Sequence, residues 1–350
     1  MKKIGLVFAG GGAKGAYEIG VWEALDRFIC GESNLSDAIC GVSGTSVGAL
    51  NAALFAQHDL EKAKAAWSEL TTSQIVKLSG VEKAKQLWDV LLSPEKQYEL
   101  LASQMSAPHK TKTETETAAA RIAIAGSVLS SPLMVRPAVS AAALAPYVAK
   151  ALLPFLSANI GILTPYWIAQ LKNGVLTASG IQNMIDAHLH YEQIRNSAIR
   201  CYATSLRLKK HSIQRFLLNQ CDNDDDINHI LLASAAIPLI FQMGKIDGEY
   251  YIDGGIPKFG DNVPLAPLCE GEETCDALIV VTLDDSDKDY SEQYPNIEMI
   301  NIRPSKKLGS AMNVLDFKPE HIKTRMKYGL EDGMAILAEN RTKIERWLQD

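Results

Sequence analysis

Two short apolar runs near the start of the chain are each followed by a turn and then by a segment with helical spacing. Residues 3–9 are apolar almost throughout, as in a buried strand of a parallel sheet, and residues 16–28 place apolar side chains on one side of a helix. A second apolar strand is predicted over 37–42, followed by a turn at 43–45 and an alanine-rich helix over 46–57. Strands that alternate with helices predict an α/β protein with a parallel sheet.

The same alternation returns in the second half of the chain. Further strands are predicted where apolar runs recur, over residues 200–206, 212–217, 278–283 and 299–302. A hairpin is predicted over 245–252, because Asp247-Gly248 favours a tight turn. Further helices are predicted from apolar spacing and acidic starts, over residues 63–105, 226–235 and 319–347.

An apolar stretch over residues 118–171 interrupts the α/β pattern. Its charged residues are all basic, and prolines and Asn159 break it, which is unlike a membrane-spanning helix. We interpret it as a helical lid or an oligomer interface, or as an element lying on an anionic membrane surface.

These boundaries predict three parts of the chain. The main α/β domain is expected over residues 1–110 and 172–315, with an apolar helical insertion over 111–171. A C-terminal helical segment over 316–350 is expected to pack on that domain.

The charge balance restricts the class of partner. Charged residues make up 22% of the chain and its net charge is -6, so no basic surface dominates. Since binding to phosphate backbones requires clustered Lys and Arg, we expect no nucleic-acid partner.

The six cysteines lack the spacing of a metal site. They form no C-x-x-C pair, and Cys30, Cys40 and Cys201 lie in apolar contexts that predict buried thiols. We expect no metal and no organic cofactor, and a reducing cytosol suits such a chain. Met1-Lys2-Lys3 with the apolar run after it imitates a short signal peptide, but the run ends at Gly10 and is interpreted as the first core strand.

A candidate nucleophile lies at the second strand–helix turn. Gly44-Thr45-Ser46-Val47-Gly48 has the form G-x-S-x-G between a predicted strand and a predicted helix. Residues without bulky side chains at Gly44 and Gly48 let a substrate carbonyl approach the serine. The N-terminus of the helix then faces developing negative charge. The alternative is a tight turn in which Ser46 only caps the helix.

A glycine-rich loop follows the first strand. In Gly10-Gly11-Gly12-Ala13-Lys14-Gly15, successive backbone N–H groups can point into one concavity that stabilises a phosphate or an oxyanion. The loop also fits the dinucleotide pattern G-x-G-x-x-G, although no acidic residue ends the second predicted strand. Lys14 adds positive potential near a lipid phosphate or is a solvated loop charge.

A candidate general base ends the predicted hairpin. Asp253-Gly254-Gly255 places a carboxylate in a tight turn directly after an apolar strand. A hairpin-end aspartate without a chemical role is the alternative for this motif alone.

Together, the three motifs resemble the patatin-like phospholipases, over residues 3 to about 284. That family has G-G-G-x-[KR]-G, G-x-S-x-G and D-G-[GA] motifs in this order, and residues 233–238 (ASAAIP) and 262–264 (NVP) match as well. The resemblance implies a three-layer α/β sandwich with a central, mostly parallel sheet. It also implies a Ser46–Asp253 dyad and an oxyanion hole at Gly10, Gly11 and Gly12, with the remaining motif residues in support: Lys14, Gly15, Gly44, Gly48, Gly254 and Gly255.

The expected activity is a phospholipase A or general lipid acyl hydrolase acting on membrane phospholipids. Expected partners are the lipid ester, a membrane surface contacted peripherally, and a second copy of the chain or an activating partner. A cytoplasmic location is expected, and a secreted effector remains open. Three alternatives also remain: a Ser46–Asp253–His321 triad, a nucleotide or lipid sensor that binds at Gly10–Gly15 with Ser46 silent, and an acyltransferase that uses the same residues.

Overall fold

The structure is a computed structural model that divides into two compact units. It describes the chain in these ranges: 1–30, 33–75, 77–78, 176–238, 240–256, 259–286, 288–309 and 314–349. The first unit comprises Met1–Thr72, Ile181–Ala236 and Gly244–Asp350, and the second comprises Ser73–Gly180 and Ile237–Met243. The insertion predicted over 111–171 lies outside the described residues.

Twelve strands are formed by the described residues. In chain order they are β1 (Ile4–Phe8), β2 (Ile29–Cys30), β3 (Ser33–Asn34), β4 (Ile39–Thr45), β5 (Lys77–Leu78), β6 (Leu176–Thr177), β7 (Arg200–Arg207), β8 (Ser212–Leu217), β9 (Gly244–Ile246), β10 (Glu249–Asp253), β11 (Ala277–Val281) and β12 (Glu298–Ile302).

Ten α-helices lie in the same part of the chain. They are α1 (Ala16–Arg27), α2 (Val47–Ala56), α3 (Leu60–Glu69), α4 (Thr72–Ile75), α5 (Ser179–His188), α6 (Tyr191–Arg195), α7 (Asp224–Ser234), α8 (Ala266–Cys269), α9 (Pro319–Glu339) and α10 (Arg341–Gln349). Short 3₁₀ turns cover Gly12–Gly15, Leu35–Ala38, Leu218–Gln220 and Ser291–Gln293.

The first unit is built on a mostly parallel sheet. Five strands run parallel in the order β12-β11-β1-β4-β7, and β8, β10 and β9 add antiparallel pairs. The predicted α/β class with a central, mostly parallel sheet is confirmed.

Both faces of this sheet are covered, as expected for buried parallel strands. Phe8 points to one face, where its ring meets Phe55 of α2 edge-on at 6.3 Å between centroids. Val7 points to the other face and joins an apolar cluster with Leu265 and Leu268 at α8. Alternate residues of β1 therefore supply two separate apolar layers.

Most predicted elements are confirmed within one or two residues, but the turn predicted at 43–45 is wrong. Ser43, Gly44 and Thr45 continue β4 and pair with Tyr202, Ala203 and Thr204 of β7. The chain leaves the strand only at Ser46.

Two predicted helices are shorter than the apolar spacing indicated. The helix predicted from residue 63 ends at Glu69, where Leu70 turns to extended backbone. The rest of that prediction, beyond residue 78, lies outside the described residues. The C-terminal helix breaks at Asn340, whose side-chain amide donates to the carbonyl of Ile336 at 2.9 Å and so closes the last turn of α9.

The second unit has few described residues. Its short ladder pairs Lys77 with Thr177 and Leu78 with Leu176 in antiparallel register. The amide of Leu176 also donates to the carbonyl of Ile240 at 2.7 Å, which ties the 237–243 segment to this ladder.

Helices α1 and α9 pack closely enough that glycine is required at their contact. A Cβ on Gly329 would overlap the carbonyl oxygen of Tyr17, and one on Gly20 would overlap that of Met326. The Tyr17 hydroxyl donates to Asp332 at 3.1 Å in the same buried seam. The backbones of the two helices are therefore in direct contact, and no flexible side chain lies between them that could move to make room for a Cβ.

We predict that Gly329→Ala lowers the free energy of unfolding by about 3 kcal/mol or more, because the new methyl group separates two helices that cannot yield locally. Urea unfolding followed by circular dichroism measures the change. Glu331→Ala is the control, since that residue is exposed on the same helix and its ion pair with Lys327 is also exposed. Equal stability of the two variants would contradict the prediction.

Candidate active site

Ser46 forms a one-residue turn between β4 and α2. Its backbone has φ 58° and ψ -126°, a left-handed value that is rare for a residue other than glycine. The predicted strand–serine–helix arrangement is therefore present, and the serine side chain lies at the first turn of α2 with 6% of its surface exposed.

The flanking glycines make this turn possible by close packing. A Cβ on Gly44 would overlap the carbonyl of Gly48, and one on Gly48 would lie 2.5 Å from the carbonyl oxygen of Phe8. The spacing of G-x-S-x-G here reflects the approach of α2 to β4 and β1.

Asp253 reaches Ser46 because two strands share one edge of β7. Thr45 of β4 pairs with Thr204, and Asp253 of β10 pairs with the next residue, Ser205. Strand β8 occupies the opposite edge of β7 over these same residues. Strands β4 and β10 therefore meet end to end, which brings together residues 207 positions apart in sequence.

The two side chains form a direct, buried hydrogen bond. The Ser46 hydroxyl donates to Asp253 Oδ2 at 2.6 Å, and Asp253 is 6% exposed. The amide of Gly255 donates to the other carboxylate oxygen, Oδ1, at 2.7 Å. Both oxygens of Asp253 are thus engaged, one by the serine and one by the turn that follows it.

Burial controls the charge of Asp253. Loss of hydration raises the pKa of this carboxyl from its ordinary value of 3.8 to about 6, and the hydrogen bonds from Ser46 and Gly255 limit the rise. At neutral pH the carboxylate is therefore ionised, yet a better proton acceptor than a solvated aspartate.

The glycine-rich loop lies beside this pair. Gly10 is bound on both sides by Asn262: its amide donates to the Asn262 carbonyl at 3.0 Å, and its carbonyl accepts from the Asn262 side chain at 3.1 Å. Gly12 has φ 56°, and a Cβ there would overlap the carbonyl of Val314. Among the described residues, the amides of Gly11 and Gly12 have no acceptor.

A buried polar network supports the loop from below. The Asn51 amide of α2 donates to the Gly15 carbonyl at 3.0 Å and to the Glu18 carboxyl at 2.7 Å, while Trp67 donates to Asn51 at 2.8 Å. Glu18 is fully buried, so desolvation raises the pKa of its carboxyl well above the ordinary range. These hydrogen bonds fix the position of the glycine-rich loop relative to helix α2.

Two residues that the motifs alone did not single out hold the site together. The Ser234 hydroxyl, at the end of α7, accepts from the Ser46 amide at 2.8 Å and donates to the Thr204 carbonyl at 2.7 Å. Asn262 binds Gly10 as described. Both lie in the matched segments 233–238 and 262–264, which was the signal available in the sequence.

The sequence also indicated Lys14, His321 and Gly254 as candidate site residues. Burial lowers the pKa of Lys14, with Arg325 adding to the effect and Asp284 and Asp285 opposing it. His321 hydrogen-bonds Asp316 at 2.7 Å and has no contact with Asp253, so the two members of the proposed triad are not joined. Gly254 accepts from the Asp261 amide at 2.7 Å and shapes the turn after β10.

A cavity of about 350 Å³ adjoins the turn after Asp253. Gly255 and Asn262 form its wall next to the site, and polar residues that include Asp261, Asp284 and Lys288 line the rest. The described residues contain no group of three side chains able to hold a metal ion.

The structure thus defines an α/β protein whose site lies where β1, β4 and β10 end. A family model for patatin-like phospholipases matches residues 6–268. The chain belongs to the patatin-like phospholipase family, which makes it a lipid hydrolase at the level of the family. Curated protein sequences gave no match.

Three solved structures share a more distant similarity. VipD from Legionella pneumophila is 19% identical, with 97% of this chain and 67% of VipD covered and a TM-score of 0.46. The type III effector ExoU is 17% identical over 97% of this chain and 53% of ExoU, at a TM-score of 0.40. The ExoU–SpcU complex of Pseudomonas aeruginosa gives 18% identity, 95% and 52% coverage and a TM-score of 0.28. The chain thus spans between about half and two thirds of these proteins.

Within the ranges given above, no helix combines the length and the apolar character that crossing a membrane requires.

We predict that Asp253→Asn stabilises the fold at pH 8. In the wild type the raised pKa means that ionising Asp253 in the folded state costs about 3 kcal/mol, a cost absent below pH 4 and complete above about pH 6. The amide avoids it, so the variant should gain up to this amount at pH 8 and nothing at pH 4.

Urea unfolding at both pH values measures this gain. Asp222→Asn, an exposed acid on the same unit, controls for the loss of one negative charge. A variant that is less stable than the wild type at pH 8 would show that the folded protein stabilises the ionised carboxylate, and it would contradict the prediction.

Proposed function

We propose that this protein is a phospholipase A-type acyl hydrolase in which Ser46 is the nucleophile and Asp253 its general base. The observation that carries this proposal is the buried 2.6 Å hydrogen bond from the Ser46 hydroxyl to Asp253 Oδ2. A hydroxyl that donates to an ionised, desolvated carboxylate can lose its proton as it attacks an ester carbonyl. Family membership supports a lipid ester as the substrate.

The glycine-rich loop completes the proposed mechanism. Attack by Ser46 gives a tetrahedral oxyanion, which the free amides of Gly11 and Gly12 would stabilise next to the N-terminus of α2. The amide of Gly10 is already donated to Asn262, so we assign Gly10 to holding the loop in shape. Collapse of the intermediate gives an acyl-enzyme, and water activated by Asp253 releases the fatty acid.

The proposal also covers how the lipid substrate is bound and where in the cell the protein acts. The polar cavity beside Gly255 suits the hydrophilic portion of a phospholipid, with Lys288 in its lining supplying positive charge. Lys14, on the glycine-rich loop, would add positive potential near the lipid phosphate. A substrate held in a bilayer requires peripheral contact with its surface, and the cytoplasm is the proposed location.

The nucleotide-sensor alternative receives less support from the geometry. Phosphate binding at Gly10–Gly15 would leave the Ser46–Asp253 hydrogen bond without a function, although burying that carboxylate costs stability. An acyltransferase would use the same residues with an alcohol in place of water.

We predict that Ser46→Ala and Asp253→Asn each reduce kcat/KM on a short-chain nitrophenyl ester and on phosphatidylcholine vesicles by at least about a thousandfold. The first removes the nucleophile and the second its proton acceptor. Ser205→Ala is the matched control, because this buried serine is paired with Asp253 in the sheet and its hydroxyl has no partner among the described residues. The control should stay within about threefold of the wild type.

Two outcomes would count against the dyad. Activity retained in Ser46→Ala would exclude the proposed nucleophile. Absence of any ester hydrolysis by the wild type, combined with thermal stabilisation by a nucleotide, would favour the sensor.

We also predict that kcat/KM rises with pH and levels off above about pH 6. The pKa of Asp253 is raised to about 6, and its protonated form cannot accept the serine proton. Below this value the rate should fall about tenfold for each pH unit. Circular dichroism at each pH confirms that the fold persists, and a rate unchanged between pH 4.5 and 8 would exclude Asp253 as the base.

A further inference from the structure

A buried arginine of helix α9 contacts the glycine-rich loop. Arg325 is 4% exposed, and its Nη1 donates to the carbonyl of Ala13 at 3.1 Å. Ala13 follows Gly12, one of the two residues whose free amides would bind the proposed oxyanion. Arg325 lies outside the residues 6–268 that the family model matches, so the motifs of the family assign it no role.

The same guanidinium group binds two further carbonyls. Its Nη1 also donates to the carbonyl of Asp316 at 2.8 Å, and its Nε donates to the carbonyl of Leu308 at 3.2 Å. Three backbone carbonyls from separate parts of the chain therefore converge on one side chain. The planar fork of N–H donors in arginine suits this geometry, which the single ammonium group of a lysine does not reproduce.

The segment that contains Asp316 packs directly on the glycine-rich loop. Gly12 has φ 56°, and a Cβ there would lie 2.1 Å from the carbonyl oxygen of Val314, two residues before Asp316. Arg325 binds this segment through the Asp316 carbonyl and the loop through the Ala13 carbonyl. The position of the loop against residues 314–316 therefore depends on a side chain that both share.

Arg325 also brings a buried positive charge to the loop. Burial lowers the pKa of its guanidinium, and the Asp316 carboxylate, whose Oδ2 lies 3.7 Å from Nη2, opposes this effect. An arginine side chain nevertheless stays protonated in proteins. Its charge adds to the lowering of the Lys14 pKa, for which burial is the larger cause. A fixed cation in a site with little water favours negative charge that develops nearby.

From these contacts we propose that Arg325 is a positioning residue for the oxyanion hole, which it holds in shape by binding the carbonyls of Ala13 and Asp316 together. This inference rests on the proposed hydrolase function. The amides of Gly11 and Gly12 stabilise the tetrahedral intermediate only if they point at the place where its oxygen becomes charged. A displacement of about 1 Å in such a site reduces the rate by about a hundredfold.

The variant Arg325→Met tests this inference in the full-length protein with a short-chain nitrophenyl ester. Methionine fills much of the same space but lacks the charge and the N–H donors. We expect kcat to fall about a hundredfold and KM to stay within about threefold, because the oxyanion forms only after Ser46 attacks. The rate should still level off above about pH 6, since the substitution leaves Asp253 in place.

Inhibition by an alkyl boronic acid separates this role from a general loss of stability. The boronic acid adds reversibly to Ser46 and gives a tetrahedral anion that imitates the intermediate. Its inhibition constant should rise by about the same factor as kcat falls, with circular dichroism used to verify that the variant is folded.

Asp332→Asn is the matched control on the same helix. Asp332 accepts from the Tyr17 hydroxyl and from the Ser305 amide, and neither hydrogen bond involves the glycine-rich loop. The control should keep both kcat and the inhibition constant within about threefold of the wild type, even where it lowers the melting temperature.

A second variant, Arg325→Lys, covers the case in which Arg325→Met does not fold. The ammonium group keeps the buried charge but cannot bind all three carbonyls, so kcat should fall about tenfold at an unchanged KM. The inference is overturned if a folded Arg325 variant keeps kcat within about threefold of the wild type, or if kcat falls while the boronic acid binds as tightly as before. Absence of Ser46-dependent hydrolysis in the wild type would overturn the proposed function itself, and this inference with it.

Discussion

The site depends on a backbone turn that Ser46 makes within one residue. A positive φ at a residue with a Cβ is unfavourable by about 1–3 kcal/mol, and such strain persists only where the surroundings enforce it. Here the Ser46 amide is bound by Ser234, which is itself bound to the β7 backbone at Thr204. The absence of side chains at Gly44 and Gly48 lets α2 begin directly against the sheet. The direction of the serine hydroxyl is thus set by three separate segments of the chain, namely the 44–48 turn, the end of α7 and β7.

Two buried carboxyl groups near this turn differ in how far hydrogen bonds offset the rise in pKa that burial causes. Glu18 is fully buried with the Asn51 amide as a donor, and desolvation raises the pKa of its carboxyl well above the ordinary range. Asp253 is as deeply buried, but the Ser46 hydroxyl and the Gly255 amide favour its charged form enough to leave the pKa at about 6. Glu18 serves as part of the scaffold, whereas Asp253 has the moderately raised pKa that the proposed general base requires.

The sequence predicted the local elements well because their determinants are local. Apolar runs gave β1, β4 and β7, and the three glycine-containing motifs placed Ser46 and Asp253 at the correct element ends. What could not be predicted is long-range pairing. The local sequence of β4 and β10 does not indicate that both strands pair with the same edge of β7. That shared edge is what brings Ser46 and Asp253 together. The turn predicted at 43–45 failed for the same reason, since β7 pairing extends β4.

Cys40 illustrates how long-range pairing can mislead an interpretation of composition. Its apolar context predicted a buried thiol, but Cys40 lies at a bulge in β4, is partly exposed and is contacted by Arg200 from a remote part of the chain. Six residues of extended strand, about 20 Å, then separate this thiol from Ser46. The carboxyl ends of the parallel strands form the candidate ester site, so side chains at their amino ends, such as Cys40, lie outside it.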